Sequence, residues 1–128
     1  MNSHRIIFVG MHNKVGKTAL CLSTKSGKLI NRIASEFDKM PIIKTNLYNI
    51  DYYPDKEDKY KLAIDWHNRV DPRKEDIIVL LGAEVHSNFI KKKDMCIIKI
   101  AHPSSQRSHL QMAIYVINAK ERIKEKIQ

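Results

Sequence analysis

The sequence contains little cysteine, glycine or proline. Its 128 residues include two cysteines, four glycines and four prolines. Two cysteines cannot form a four-thiolate zinc or iron–sulfur site, and their apolar surroundings predict buried free thiols at Cys21 and Cys96. With 43% hydrophobic and 29% charged residues, the composition is that of a globular chain and argues against disorder. We therefore expect one folded domain over residues 1–128, with no cofactor and no metal ion.

Long apolar segments are also missing. No stretch approaches the roughly 18 apolar residues that a membrane-spanning helix needs. The polar residues 2–5 lead into an apolar run that is too short to span a membrane. The expectation is a monomeric cytoplasmic protein, or a nuclear one if the source is eukaryotic, with no membrane partner.

Acidic residues are outnumbered by basic ones. The 23 lysines and arginines exceed the 14 aspartates and glutamates, which gives a formal net charge of +9. A protein this basic usually binds a polyanion, and nucleic acid is the first candidate. Charge supports a class of partner but says nothing about the fold.

Short apolar runs alternate along the chain with segments of helical periodicity. Strands are predicted at 5–9, 42–47, 77–81 and 95–100. Helices are predicted from an N-cap at Ser26 to Pro41, and at 60–70, 83–90 and 109–127. This alternation predicts a three-layer α/β domain around a central, mostly parallel four-stranded sheet. Ligands of such sheets bind beyond the carboxyl ends of strands, where Gly10, Asn46 and His102 are found.

Gly16-Lys17-Thr18 resembles the end of a phosphate-binding P-loop. That motif requires a glycine five residues before Gly16, where this chain has Met11. A nucleotide-binding P-loop protein is therefore the third of three functional hypotheses.

Four segments, in this order, resemble the uracil-DNA glycosylase superfamily, and together they cover nearly the whole chain. The first is IIFVGMHNK followed by KSGKLINRI, and the others are IIKTNLYN, DIIVLLGAEVHSNF and IKIAHPSSQRS. The resemblance implies a protein that binds DNA, mainly through phosphates, and hydrolyses the N-glycosidic bond of a flipped uracil or modified base.

The resemblance also assigns roles to individual residues. His12 or Asn13 would position water, Asn46 would read the base edge, and His102 would donate to the leaving base. Gly10, Met11, Leu22 and Ser104 would contact the substrate with Asn46. The residues assigned to DNA phosphates are Lys14, Lys17, Lys25, Ser105 and Arg107.

The chain departs from the family pattern in two places. No proline follows the Gly10 loop, and Leu22 stands near the position of the aromatic residue that usually stacks on the base. The identity of the base therefore stays open, and the second hypothesis is a non-catalytic DNA-binding protein of the same fold.

Two surface clusters permit two interpretations each. Lys91, Lys92 and Lys93 form either part of a phosphate-facing rim or a solvated turn. Tyrosines 48, 52 and 53 either stack on bases or pack locally, whereas Trp66 is expected in the core.

Overall fold

Four parallel strands form one sheet in the part of the chain that is described, residues 4–12 and 18–127 of a computed structural model. The strands are β1 (Ile6–His12), β2 (Ile42–Tyr48), β3 (Ile77–Leu81) and β4 (Cys96–Ile100). They are ordered β2-β1-β3-β4, and each neighbouring pair is parallel. The predicted α/β class is confirmed, and the carboxyl ends of all four strands lie at one edge of the sheet.

Helices cover both faces of the sheet. They are α1 (Lys25–Ala34), α2 (Lys56–Val70), α3 (Ala83–Asn88) and α4 (His109–Ile127), with 3₁₀ turns at Ser35–Phe37 and Pro103–Ser105. Because side chains alternate along a strand, Ile6 and Phe8 pack with α1 and α4. Ile7 and Val9 pack on the opposite face with α2 and α3. The result is a three-layer domain with two apolar cores.

Several element boundaries differ from those predicted. Thr24, not Ser26, caps α1, since its side chain accepts a hydrogen bond from the Gly27 N–H. Asp55 caps α2 in the same way, so this helix begins at Lys56, earlier than predicted. Strand β1 runs to His12 because residues 10 and 12 still pair with strand β2.

The cysteines are not buried as predicted: Cys21 and Cys96 are both partly exposed, and they do not form a disulfide with each other. Trp66 is fully buried, as predicted. Across residues 4–12 and 18–127, none of the helices combines the length and the apolar character that crossing a bilayer requires.

Candidate functional site

A pocket of about 170 Å³ opens at the carboxyl edge of the sheet. Residues at the ends of three strands line it: Gly10, Met11, His12, Asn46 and His102. The segment before α1 supplies the opposite wall through Leu20, Cys21 and Thr24. The structure thus brings together residues that are up to 92 positions apart in sequence, from Gly10 to His102. Parallel pairing causes this convergence, because it places the ends of all strands on the same side.

Gly10 permits the side chain of Asn46 to lie against the backbone of β1. The two residues are register partners on neighbouring strands, and a Cβ at residue 10 would come within 2.7 Å of the Asn46 Oδ1. Glycine therefore leaves room for the Asn46 amide in this position, and a larger residue would displace it. Asn46 is 5% exposed and carries both a donor and an acceptor into the pocket wall.

The backbone around Asn46 is fixed by α2. The Arg69 guanidinium donates to the Asn46 carbonyl at 3.2 Å. One residue earlier, the Thr45 hydroxyl donates to the Phe8 carbonyl and accepts from the Trp66 indole, both at 2.9 Å. These buried bonds hold the end of β2 in one register, which positions the amide of Asn46.

His102 is held by the turn that follows it. Its Nδ1 accepts from the Ser104 backbone N–H at 3.1 Å and lies 2.7 Å from the Ser104 hydroxyl. Because Nδ1 acts as an acceptor, a neutral His102 carries its proton on Nε2. The Ser105 hydroxyl donates to the His102 carbonyl at 2.7 Å and closes the turn. Ser104 therefore orients the imidazole as well as lying beside the site.

Two further residues bring His102 to the pocket. Gly82 has a φ of +90°, and a Cβ there would lie 3.1 Å from the Cβ of His102. The Nε2 of His86 lies 3.1 Å from the Leu80 carbonyl and 2.9 Å from the Ile100 carbonyl, so one ring joins the ends of β3 and β4. Sequence analysis missed the role of His86, although a histidine just after the strand and Gly82 was a usable signal.

His12 lies at the junction between the pocket and a polar cluster on the other face of the sheet. Its ring meets the Tyr53 ring edge to face, with 6.4 Å between centroids. The Tyr53 hydroxyl donates to Glu84 at 3.1 Å, and the Tyr48 hydroxyl donates to the same carboxylate at 2.8 Å. Lys59 lies 3.0 Å from Glu84. We call Tyr48, Tyr53, Lys59 and Glu84 the tyrosine cluster.

The tyrosine cluster stabilises the ionised form of its one carboxyl group. Burial alone would raise the pKa of Glu84, but hydrogen bonds from the two tyrosine hydroxyls and from Lys59 outweigh burial and lower it. Burial, together with the adjacent carboxylate, raises the pKa of Tyr48. Hydrogen bonds to Tyr53 and Glu84 raise the pKa of Lys59. Near neutral pH the cluster therefore holds the ion pair of Lys59 and Glu84 beside a neutral Tyr48.

Basic residues lie on one side of the pocket. Lys25 begins α1 and donates to the Gln106 carbonyl, which places it beside the exposed Ser105 and Arg107. Lys92 and Lys93 instead line a groove with residues 72–74, where β3 and β4 begin. They lie at the opposite edge of the sheet from the pocket, which favours the interpretation of a solvated turn.

Of the remaining predicted site residues, Leu22 does not line the pocket, and the others lie outside the described residues. Leu22 is 54% exposed, and Leu20 and Cys21 line the pocket in its place. Leu20 is 9% exposed and has a φ of +50°, a backbone conformation that L-residues seldom adopt. Asn13, Lys14 and Lys17 lie outside the described residues, as does Gly16 of the P-loop-like motif.

No protein-family model matches the chain, and no curated protein sequence is significantly similar to it. The function of the pocket is therefore inferred from its own residues.

Proposed function

We propose that this protein is a small relative of the uracil-DNA glycosylases that releases a base from DNA. The observation that carries this proposal is that His12, Asn46 and His102, residues of separate strand ends, line one pocket with Gly10. An amide with donor and acceptor, and imidazoles that donate or hold water, are the groups that base recognition and N-glycosidic bond hydrolysis need.

The size of the pocket supports a single-ring base as the substrate. Its volume is about 170 Å³. A cavity of about 150 Å³ in another protein accommodates benzene, a single six-membered ring. A pyrimidine such as uracil matches that size better than a purine. The apolar wall at Leu20 and Met11 would contact the ring, while Asn46 reads its polar edge.

The proposed mechanism assigns one task to each polar residue. Asn46 pairs with the edge of the flipped base. His102, with its Nδ1 occupied by Ser104, donates from Nε2 to the base oxygen where negative charge develops as the bond breaks. His12 holds the water that attacks the sugar carbon, a task for which Asn13 is the alternative. The proton of that water passes to solvent or to a proton-accepting group of the pocket. The nucleobase leaves as the anion that His102 stabilises.

The basic side of the pocket would hold the DNA backbone. Lys25, Ser105 and Arg107 offer a flexible cation, a hydroxyl and a planar guanidinium to phosphates. These contacts would anchor the strand without reading its sequence. The same contacts would serve the alternative hypothesis, a DNA-binding protein that does not catalyse. The aliphatic side chain of Leu20 favours this alternative, because it cannot stack on a flipped base as an aromatic ring would.

Base release from defined oligonucleotides tests the proposal. Strands that carry uracil, hypoxanthine or hydroxymethyluracil are incubated with the protein and then cleaved by alkali at abasic sites. We expect release of uracil or hydroxymethyluracil, a loss of about a hundredfold in rate for His102→Ala, and a cost of roughly 1–3 kcal/mol for Asn46→Ala. Circular dichroism controls for folding of both variants.

The outcomes separate the hypotheses. DNA binding without release of any of the three bases removes the enzyme and leaves the binding protein. Release that survives both substitutions keeps the enzyme but moves its site away from this pocket.

A further inference from the structure

The loop after β2 presents two exposed aromatic side chains next to the pocket. Tyr52 is 60% exposed and Tyr53 is 54% exposed. Tyr53 touches His12, which lines the pocket, so the exposed ring adjoins the site where a flipped base would sit. An exposed aromatic ring beside a pocket offers an apolar face on which a base can stack.

Tyr53 is held in place although its ring is exposed. Its hydroxyl donates to Glu84 at 3.1 Å and accepts from the Lys59 ammonium at 2.5 Å. The same ammonium lies 4.5 Å from the centroid of the ring. Because the side chain is already ordered, a ligand that stacks on it does not have to fix its rotamer, and binding loses less conformational entropy.

The charges of this loop select bases over phosphates. Asp51 and Asp55 are exposed on either side of the two tyrosines and repel the DNA backbone. Glu84 is paired with Lys59. The exposed cations Lys25 and Arg107 lie beside α1 and the Pro103–Ser105 turn, away from the helices α2 and α3 that support Tyr53. Phosphates and bases would therefore contact different sides of the pocket.

We propose that Tyr53, together with Tyr52, forms a stacking platform for an unpaired base beside the pocket, which makes single-stranded DNA the preferred ligand. This inference rests on the proposed function for its choice of nucleic acid. In a duplex the neighbours of the flipped base remain paired and stacked, so they cannot reach the platform. In a single strand each base offers an open π-face, and stacking on aromatic residues tolerates any sequence.

Fluorescence anisotropy with a labelled oligothymidine strand and a duplex of the same length tests the platform. We expect tighter binding of the single strand by the wild type. Tyr53→Leu should weaken single-strand binding roughly five- to 150-fold, the range that corresponds to the loss of one stacked base. Duplex affinity should stay within about threefold. Tyr53→Phe, which keeps the ring, should retain most of the single-strand affinity.

A matched control separates stacking from a general loss of surface tyrosine. Tyr60 is 67% exposed on α2, and Tyr60→Leu should leave single-strand binding unchanged. Equal losses for Tyr53→Leu and Tyr60→Leu, equal wild-type affinity for strand and duplex, or no single-strand binding would each overturn the platform. Loss of affinity with a reduced salt dependence would also overturn it, because that pattern indicates a phosphate contact.

The platform and the proposed glycosylase can fail separately. Single-strand binding that needs Tyr53, without release of any base, retains the platform and removes the enzyme. Base release that proceeds equally from strand and duplex, and is unaffected by Tyr53→Leu, retains the enzyme and removes the platform.

Discussion

Gly10 lies directly against the side chain of Asn46, so that a Cβ at residue 10 would come within 2.7 Å of the asparagine Oδ1. A contact that short cannot exist, and one of the two groups must move. The adjacent main chain is held by β-sheet pairing, whereas the amide can rotate. The residue that yields is therefore Asn46.

Gly10→Ala should displace the Asn46 amide and mimic the loss of its function. If Asn46 reads the base, the cost to base release should be roughly 1–3 kcal/mol, similar to that of Asn46→Ala. The double variant should be no worse than either single variant, because the two changes remove one interaction. Single-turnover rates of base release measure the cycle. Additive losses would mean that Gly10 and Asn46 act independently.

DNA binding should weaken steeply as salt rises, in keeping with the net charge of +9. Lys25→Ala and Arg107→Ala should each reduce the slope of log affinity against log salt by roughly 0.7–0.9. The control is Lys93→Ala, since Lys93 lies at the opposite edge of the sheet from the pocket. Anisotropy across a salt series measures all three slopes, and a smaller slope for Lys93→Ala alone would place the DNA at the wrong edge.

His67 should make the protein less stable as the pH falls. Its Nε2 donates to the Ile90 carbonyl at 2.7 Å, and its Nδ1 is buried without a hydrogen-bond partner among the described residues. Burial, and to a smaller extent the charge of Lys92, lowers the pKa of His67 below its usual 6.5, against the opposing effect of the Ile90 carbonyl. The folded state therefore binds its proton less readily than the unfolded state does.

The sign of this linkage fixes the pH window. The free energy of unfolding contributed by neutral His67 is fully present above pH 6.5 and is lost as the pH falls through the lower folded pKa. The loss is at most about 1.4 kcal/mol per pH unit for one proton. Urea unfolding at several pH values should show a flatter profile for His67→Gln. Equal slopes for wild type and variant between about pH 5 and 7 would show that other groups are responsible.

The ion pair of Arg5 and Asp76 should be important for stability. A terminal guanidinium nitrogen of Arg5 lies 2.5 Å from the Oδ2 of Asp76, and the Asp76 side chain is fully buried. Burial alone would raise the pKa of Asp76, but hydrogen bonds from Arg5 and from the Arg73 N–H outweigh it and lower the pKa. Its contribution is therefore present above the usual pKa of 3.8 and disappears as the pH falls further.

Arg5→Ala should cost about 3–5 kcal/mol of unfolding free energy, because it leaves a buried carboxylate without its partner. The matched control is Asp65→Ala, which breaks the exposed pair of Arg69 and Asp65 and should cost less than about 1 kcal/mol. Chemical denaturation measures both. Similar costs for the two variants would show that burial does not make the first pair special.

Much of the architecture could be predicted because it depends on local sequence. The all-apolar run at Ile77–Leu81 indicates a strand covered on both faces, and the structure buries all five of its residues. Alternation of such runs with helical segments leaves a parallel sheet as the simple solution. The predicted starts of α1 and α2 were less accurate. Thr24 and Asp55 cap these helices because the backbone around them lets their side chains accept a hydrogen bond from the first turn, and this geometry is not evident from the sequence.

The amino-acid sequence by itself therefore determined the layers, the strands and the polar residues at their ends. Only the tertiary structure decided which of these residues share a pocket, that Leu20 and Cys21 rather than Leu22 line it, and that Glu84 holds Tyr53. The physical reason is range. Strand and helix propensities act over a few neighbouring residues, whereas the contact of Gly82 with His102 depends on the register between β3 and β4, which no local pattern encodes.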